Sequence, residues 1–201
     1  MIRADLHIHT TYSADSSIPM KSVVDQLYAH PFIKVAAITD HNTVEGSRKA
    51  LELAKAYEDI LIIPGVEISA VGGDLLLLGI AELPPRPWTV KNVVGFARGR
   101  DALVIAAHPY RAYGLGDSAK NYDLDAIEVL NGASASQVNK LAENLAREMG
   151  LPGVAGSDAH NVDELWTVCT EIQASSDVDD VLKAIKKGLV RVAFTEKSIR
   201  F

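Results

Sequence analysis

Two histidines one residue apart, His7 and His9 in the opening DLHIHT, can grip a single ion from one side, because residues i and i+2 of an extended chain point the same way. The same donor chemistry returns along the chain. Asp15 lies in the loop that follows, Asp40 and His41 close AAITDH, and Glu67 ends IIPGVE. His108 follows VIAA, and Asp158 and His160 follow GVAGS. Five of the 6 histidines therefore come after short apolar runs, whereas His30, in YAHP, reads as a structural or surface residue at a helix end. Taken singly, an HxH pair is ordinary polar surface and a DH pair is a turn or a helix cap. Taken together they point to one shared metal site. A mixed set of imidazoles and carboxylates suits zinc, iron or manganese, whereas an all-oxygen set suits magnesium or calcium. No competing serine or cysteine nucleophile motif is present. The single cysteine, Cys169 in WTVCTEIQ, reads as a buried structural thiol and rules out Cys-based structural zinc.

These donors need a scaffold that brings distant positions to one face. Short apolar runs predict strands over 2–8, 34–39, 60–66, 75–80, 103–107, 126–130, 153–156, 168–172 and 189–193. Helical patterns cover 20–30, 43–57, 89–98, 135–149 and 177–187, the third interrupted by Gly95. Pro19 suits the start of the first helix, Asn42 or Thr43 can cap the second, and Asp177 can cap the last. Gly150 and Gly188 fit just past helix ends. VGGD at 71–74 predicts a tight antiparallel turn, and PPRP at 84–87 a rigid loop. Alternating strands and helices predict a mainly parallel sheet covered by helices, open or closed. In such folds sites form at the carboxyl ends of the strands, which is where the donors lie.

Bulk properties exclude several classes. The 201 residues predict one domain over 1–201, with 48% hydrophobic and 23% charged residues as in ordinary globular proteins. A net charge of -6 argues against broad, nonspecific nucleic-acid binding, which relies on clustered Lys and Arg. The start of the chain has no basic segment followed by a long apolar one, and runs such as DLLLLGI are too short to span a bilayer. The expectation is a cytoplasmic protein with no membrane partner. Oligomeric state is not written in these patterns.

The motifs DLHIHT (5–10), ITDHN (38–42), PGVEIS (64–69), AAHP (106–109), EVLNG (128–132) and GSDAH (156–160) together resemble the PHP domain, the polymerase and histidinol phosphatase family. The resemblance implies a distorted (β/α)7 barrel, mostly of parallel strands, with two or three divalent ions (Zn, Mn or Fe) hydrolysing phosphate esters. Carried over by residue, it implies His7, His9, Glu67 and Asp158 around a first ion, with Glu67 bridging to a second that also takes His108. Asp15, His41 and His160 match the pocket of a third. The chain departs from the fullest family pattern twice: Asp15 stands where many members have histidine, and no histidine lies between Glu67 and His108. The second site is thus short of ligands.

On that reading a hydroxide bridging the ions is the nucleophile. His108, if not ligating, would protonate the leaving oxygen, and Asp40 would act as an acid–base group or orient a ligating imidazole. Arg111, in HPYRAYG, is the expected phosphate anchor, with Arg48 as a second. Tyr110 and Tyr113 would stack on a base or line the pocket, and Asn131 would line the site. The loop from Arg111 to Lys120 looks long and mobile enough to shape substrate choice. The expected substrate is a small phosphorylated metabolite, a nucleotide or an oligonucleotide end, as monoester or diester. Two alternatives stand beside this: a noncatalytic metal-binding PHP module, and an amidohydrolase-like enzyme acting on a carbonyl.

Overall fold

The computed structural model describes residues 1–196. Nine strands form one sheet, in the order β7-β6-β5-β4-β3-β2-β1-β8-β9. The strands are β1 (Ile2–Ile8), β2 (Ile33–Ile38), β3 (Leu61–Ala70), β4 (Gly73–Leu78), β5 (Leu103–Ala106), β6 (Ala126–Asn131), β7 (Gly153–Gly156), β8 (Val168–Ile172) and β9 (Val190–Phe194). Five helices run between them: α1 (Met20–Ala29), α2 (Glu45–Ala54), α3 (Val90–Arg98), α4 (Ser136–Met149) and α5 (Val178–Lys186).

The expected excess of parallel strands gives way to a mixed sheet. Pairings β1–β2, β2–β3, β5–β6 and β6–β7 are parallel, while β3–β4, β4–β5, β1–β8 and β8–β9 are antiparallel. Chain length accounts for the β3–β4 pair, since the short VGGD turn can only reverse the chain and a parallel return needs a crossover of a dozen residues or more. By contrast, β4–β5 and β8–β9 are antiparallel across long connections that carry α3 and α5. Gly72 and Gly73 take φ of 113° and 147° in the VGGD turn, conformations open to glycine. The sheet curls until it nearly closes on itself. Asp158 N donates to the His7 carbonyl at 2.8 Å, and His9 N donates to the Ala159 carbonyl at 3.1 Å. The buried Asp5 carboxylate accepts from Ser157 N at 2.8 Å.

The core lies on both sides of the curl. Leu6, Val35, Ala37, Ile63, Leu76, Leu78, Ile105 and Val154 meet inside, with Val181, Leu182 and Ile185 of α5 packed against them. Outside, Val23 and Leu27 of α1 cover Ile33 and Ile38, and Val93 and Leu145 cover the β4–β6 side. Asp177 caps α5 by accepting from Asp180 N, and Gly150 ends α4 in the left-handed region at φ 65°. The second helix is shorter than its sequence pattern and has Val44 at its N-cap, without a side-chain cap. Asn42 instead accepts from Ser69 N, which ties the loop to β3. Cys169 is buried in β8, as its neighbours imply. No helix among the described residues is long and apolar enough to cross a membrane.

Two irregularities aim the donors. A register shift between Asp5 and Ile8 in the β1–β2 pairing breaks the strict alternation of β1 where the two histidines begin. The third strand runs four residues beyond its predicted end, so Glu67 sits inside it rather than at its tip. There β3 changes partner: Leu61–Pro64 pair with β2, and Gly65–Ala70 with β4.

The seam between β1 and β7 leaves no room at Gly156, where an added Cβ would lie 2.3 Å from His7 Cβ and 2.7 Å from His7 N. Overpacking of this kind costs about 2–3 kcal/mol. Gly156→Ala is expected to lower stability by that amount in denaturant unfolding, with metal uptake weakened through His7. Wild-type stability and uptake in the variant would show that the seam can relax.

Candidate metal centre

Strand register brings the donors into contact, at the cost of desolvating them. His7, His9 and Glu67 are fully buried, and Asp158 and His108 nearly so. Glu67 is the hub. Its Oε2 lies 3.2 Å from His7 Nε2, 3.1 Å from His9 Nε2 and 3.1 Å from His41 Nδ1, and its Oε1 lies 3.0 Å from His108 Nε2. Asp158 Oδ1 is 3.4 Å from His7 Nε2 and 3.2 Å from His9 Nε2. Toward solvent, Asp15 Oδ2 stands 3.3 Å from His41 Nε2 and 3.4 Å from His160 Nε2. All eight residues that the family resemblance implies as ligands are thus brought together from separate parts of the chain.

The donor set fits divalent cations. His7 Nε2 and His9 Nε2 are only 2.9 Å apart, and His41 Nδ1 and His108 Nδ1 are buried with no hydrogen-bond partner. Four groups each converge within 4.8 Å: His9–His41–His160, His7–His108–Asp158, His7–His9–Glu67 and Glu67–Asp74–His108. Nitrogens and carboxylate oxygens crowded in this way suit an ion that replaces the lost water.

Surrounding groups aim these ligands. Glu128 Oε1 holds His7 Nδ1 at 2.9 Å, and Glu128 Oε2 accepts from His108 N and from the Asn131 amide. Asp40 accepts from Thr10 N at 2.6 Å and from the Ser13 hydroxyl at 3.1 Å, while Ser13 Oγ also lies 3.3 Å from His9 Nδ1. Its carboxylate therefore faces the β1 loop rather than the open cleft, a position that suits orienting His9 and not proton transfer to substrate. Asn131 donates to Asp158 Oδ2 at 3.2 Å, and the Arg111 guanidinium donates to the same oxygen.

The centre opens into a cleft of about 770 Å³, lined by the β3–β4 turn (69–74), by residues 111–114, and by Asp15, His41, His108, Asp158 and His160. Arg111 is the one Lys or Arg that lines it among the described residues. Two expected substrate contacts lie elsewhere. Arg48 donates to Glu45 Oε1 and to the Ala81 carbonyl, because it lies on the exposed face of α2, away from the cleft lining. Tyr110 packs against the core and donates to Asp117, which turns its ring from the cleft. Tyr113, in contrast, lines the cleft and is 83% exposed. The 111–120 loop is also better anchored than its glycines suggested: Tyr113's carbonyl accepts from Asp74 N, and Gly116–Asn121 form a 3-10 turn. Asp74 and Glu128 were not among the expected site residues. Their signal was a carboxylate at a buried position of an apolar strand.

Electrostatics follow from burial and crowding. Burial pulls the His9 imidazole down, but Asp158 and Glu67 outweigh it and push its pKa up to about 9. His7 is held well above the usual range because Asp158, Glu128 and Glu67 likewise outweigh burial. Burial, with Glu67 nearby, pushes Asp74 up to about 6. Without an ion, His9 keeps its proton up to about pH 9, so a cation must displace it. Calorimetry at pH 7.5 in buffers of different ionisation enthalpy should show proton release on metal uptake, with affinity falling as pH falls below 9. Uptake independent of pH would contradict this. Removing the outer support, as in Glu128→Ala, should weaken metal affinity about 10–100-fold. Unchanged affinity would leave Glu128 without a role in aiming His7.

The chain matches the PHP domain model over residues 5–123 and the PHP-associated model over 137–190. An uncharacterized protein of Methanocaldococcus jannaschii is 31% identical over 155 residues, which cover 71% of this chain and 90% of the relative. Among solved structures, a two-domain protein from Bacteroides vulgatus, described as containing a predicted PHP-like metal-dependent phosphoesterase, superposes with TM-score 0.80 and 18% identity, covering 97% of this chain and 65% of its own. PsfC from Pseudomonas syringae superposes at TM-score 0.74 and 19% identity over 100% of this chain and 95% of its own. An amidohydrolase from Chromobacterium violaceum does so at 0.65 and 18%, over 96% and 92%. With eight clustered donors and a matching family model over more than half its length, the chain belongs to the PHP domain family.

Proposed function

We propose that the protein is a metal-dependent phosphoesterase that hydrolyses small phosphorylated metabolites, nucleotides or nucleic-acid ends. The observation that carries this is the cleft itself, where imidazole and carboxylate donors line one wall and a single guanidinium, Arg111, stands beside them. His7, His9, Glu67 and Asp158 would hold a first ion, Glu67 and His108 a second, and Asp15, His41 and His160 a third. Zinc, manganese and iron suit these donors. Divalent ions bound here would supply Lewis acidity and a water of lowered pKa.

The chain's own groups do the rest. Arg111 binds a phosphoryl oxygen through charge-assisted hydrogen bonds, and its contact with Asp158 and Asn131 positions it for this. Glu128 and Ser13 keep the His7 and His9 rings turned toward the centre. Tyr113 stands exposed at the rim of the cleft, where its ring can stack on a base or other planar group of the substrate.

Acyl or amide hydrolysis is the second reading, because a fold neighbour is an amidohydrolase. Arg111 favours the phosphoryl reading, since a guanidinium matches a phosphate that is anionic already in the ground state, whereas a neutral carbonyl gains charge only in the transition state. Protein loaded with Mn2+, Zn2+ or Fe2+ should hydrolyse members of a panel of phosphomonoesters, nucleotides, diesters and short oligonucleotides in preference to amides and esters. His9→Ala or Asp158→Asn should abolish turnover and lower metal content. Arg111→Ala should raise KM about tenfold with little change in metal content, the loss expected of one charged hydrogen bond worth about 1.4 kcal/mol. Amide turnover in place of phosphate turnover would select the second reading, and no turnover with any ion would leave a binding module.

A further inference from the structure

The family pattern has no histidine to offer between Glu67 and His108 in this chain, yet the structure fills that interval with a carboxylate. Asp74 opens β4, immediately after the glycine turn. Pairing of Glu67 with Leu76 and of Ser69 with Asp74 puts Asp74 on the same sheet face as Glu67, one diagonal step nearer the cleft. On the other side, Ala107 N donates to the Asp74 carbonyl, which brings His108 alongside. The result is a group of Glu67, Asp74 and His108 with ligand atoms within 4.8 Å of one another.

Asp74 is only 6% exposed. No Lys or Arg pairs with it among the described residues, and its neighbours in charge are a second buried carboxylate and an imidazole. The Ser69 hydroxyl donates to it. His108 Nδ1, in the same group, is buried without a hydrogen-bond partner. Two desolvated carboxylates side by side are costly unless a cation lies between them. The backbone also gives Asp74 little freedom to retreat, because its N–H donates to the Tyr113 carbonyl at 2.8 Å.

We propose that Asp74 is the missing ligand of the second ion and that it makes this site selective for a harder cation than its neighbours. The inference rests on the metal-centre reading but not on the identity of the substrate. Donor chemistry changes along the centre. The His9–His41–His160 end is all imidazole apart from Asp15, the His7–His9–Glu67–Asp158 position is evenly mixed, and the Glu67–Asp74–His108 end has two carboxylates to one imidazole. Carboxylate oxygen narrows the advantage that Zn2+ holds over Mn2+, imidazole widens it, and the site richest in carboxylate is therefore the one Mn2+ holds best. The centre is thus built to hold unlike ions, with Mn2+ at the Asp74 end and Zn2+ or Fe2+ toward His41 and His160.

The test reads metal content, not turnover. Wild-type protein and the Asp74→Asn and Asp74→His variants are stripped of metal and equilibrated with limiting Zn2+ and a large excess of Mn2+, which offsets the higher affinity of Zn2+ for such sites. Bound metal is then measured by mass spectrometry, and Mn2+ is followed by its paramagnetic resonance spectrum. The wild type should retain both metals. Asp74→Asn should lose about one Mn2+ per chain while keeping its Zn2+, and Asp74→His should keep total metal but lower the Mn:Zn ratio about tenfold. Full Mn2+ retention in Asp74→Asn, or an unchanged ratio in Asp74→His, would overturn the proposal. If the wild type hydrolyses no phosphate ester but shows this metal pattern, the phosphoesterase reading fails and the assignment of Asp74 stands.

Discussion

The structure depends on one buried carboxylate. Glu67 has no access to solvent, and four imidazoles, those of His7, His9, His41 and His108, approach its two oxygens. A charge in that position is tolerable only while the histidines stay around it, so the strands that carry them cannot move independently. Burial by itself would raise its pKa, yet His7 and His108 hold it well below the usual carboxylate range. The contact that gathers the donors is also the one that locks β1, β3 and the ends of β2 and β5 together.

The fold supplies this contact through its irregularities. A uniform parallel barrel would deliver one residue per strand end. Here β3 passes its end, changes partner from β2 to β4, and carries Glu67 at the switch. The register shift in β1 does the same for His7 and His9. His108 and Asp158 have φ of 27° and 53°, in the region ordinarily left to glycine. Such conformations cost of order 1–3 kcal/mol each and persist where the surroundings over-determine them. The bonds from Glu128 to His108 N and from Asp158 N to the His7 carbonyl provide that determination.

Around this centre the polarity is graded. Glu128, Asp40, Ser13 and Asn131 form a buried layer of hydrogen bonds behind the ligands, while Asp15, His41 and His160 remain partly open to the cleft. Ligands at the back are thus rigid and those at the mouth can adjust. Arg111 sits between the two, bound to Asp158 on one side and facing the cleft on the other. Its guanidinium thus offsets the charge of the buried Asp158 carboxylate while remaining open to the cleft.

Much of this was legible in the residues alone. The positions of all nine strands and five helices, the turn at VGGD, the caps at Asp177 and Gly150, and the eight donors follow from local pattern, because alternation, capping and turn chemistry act over a few residues. The expectation of mostly parallel strands failed at β4, β8 and β9, where direction depends on which distant strand offers an open edge. Arg48 and Tyr110 were misplaced for a similar reason, since a cation or a ring near a motif shows its neighbourhood but not its heading. Glu128 meets His7 across 121 residues of sequence, and Asp74 meets Glu67 only because a hairpin folds back at the right register. The sequence by itself determined which donors exist and that strands carry them. Only the tertiary structure decided which donors converge and which further carboxylates stand beside them, because contacts between remote strands depend on register, and register is a property of the nearly closed sheet.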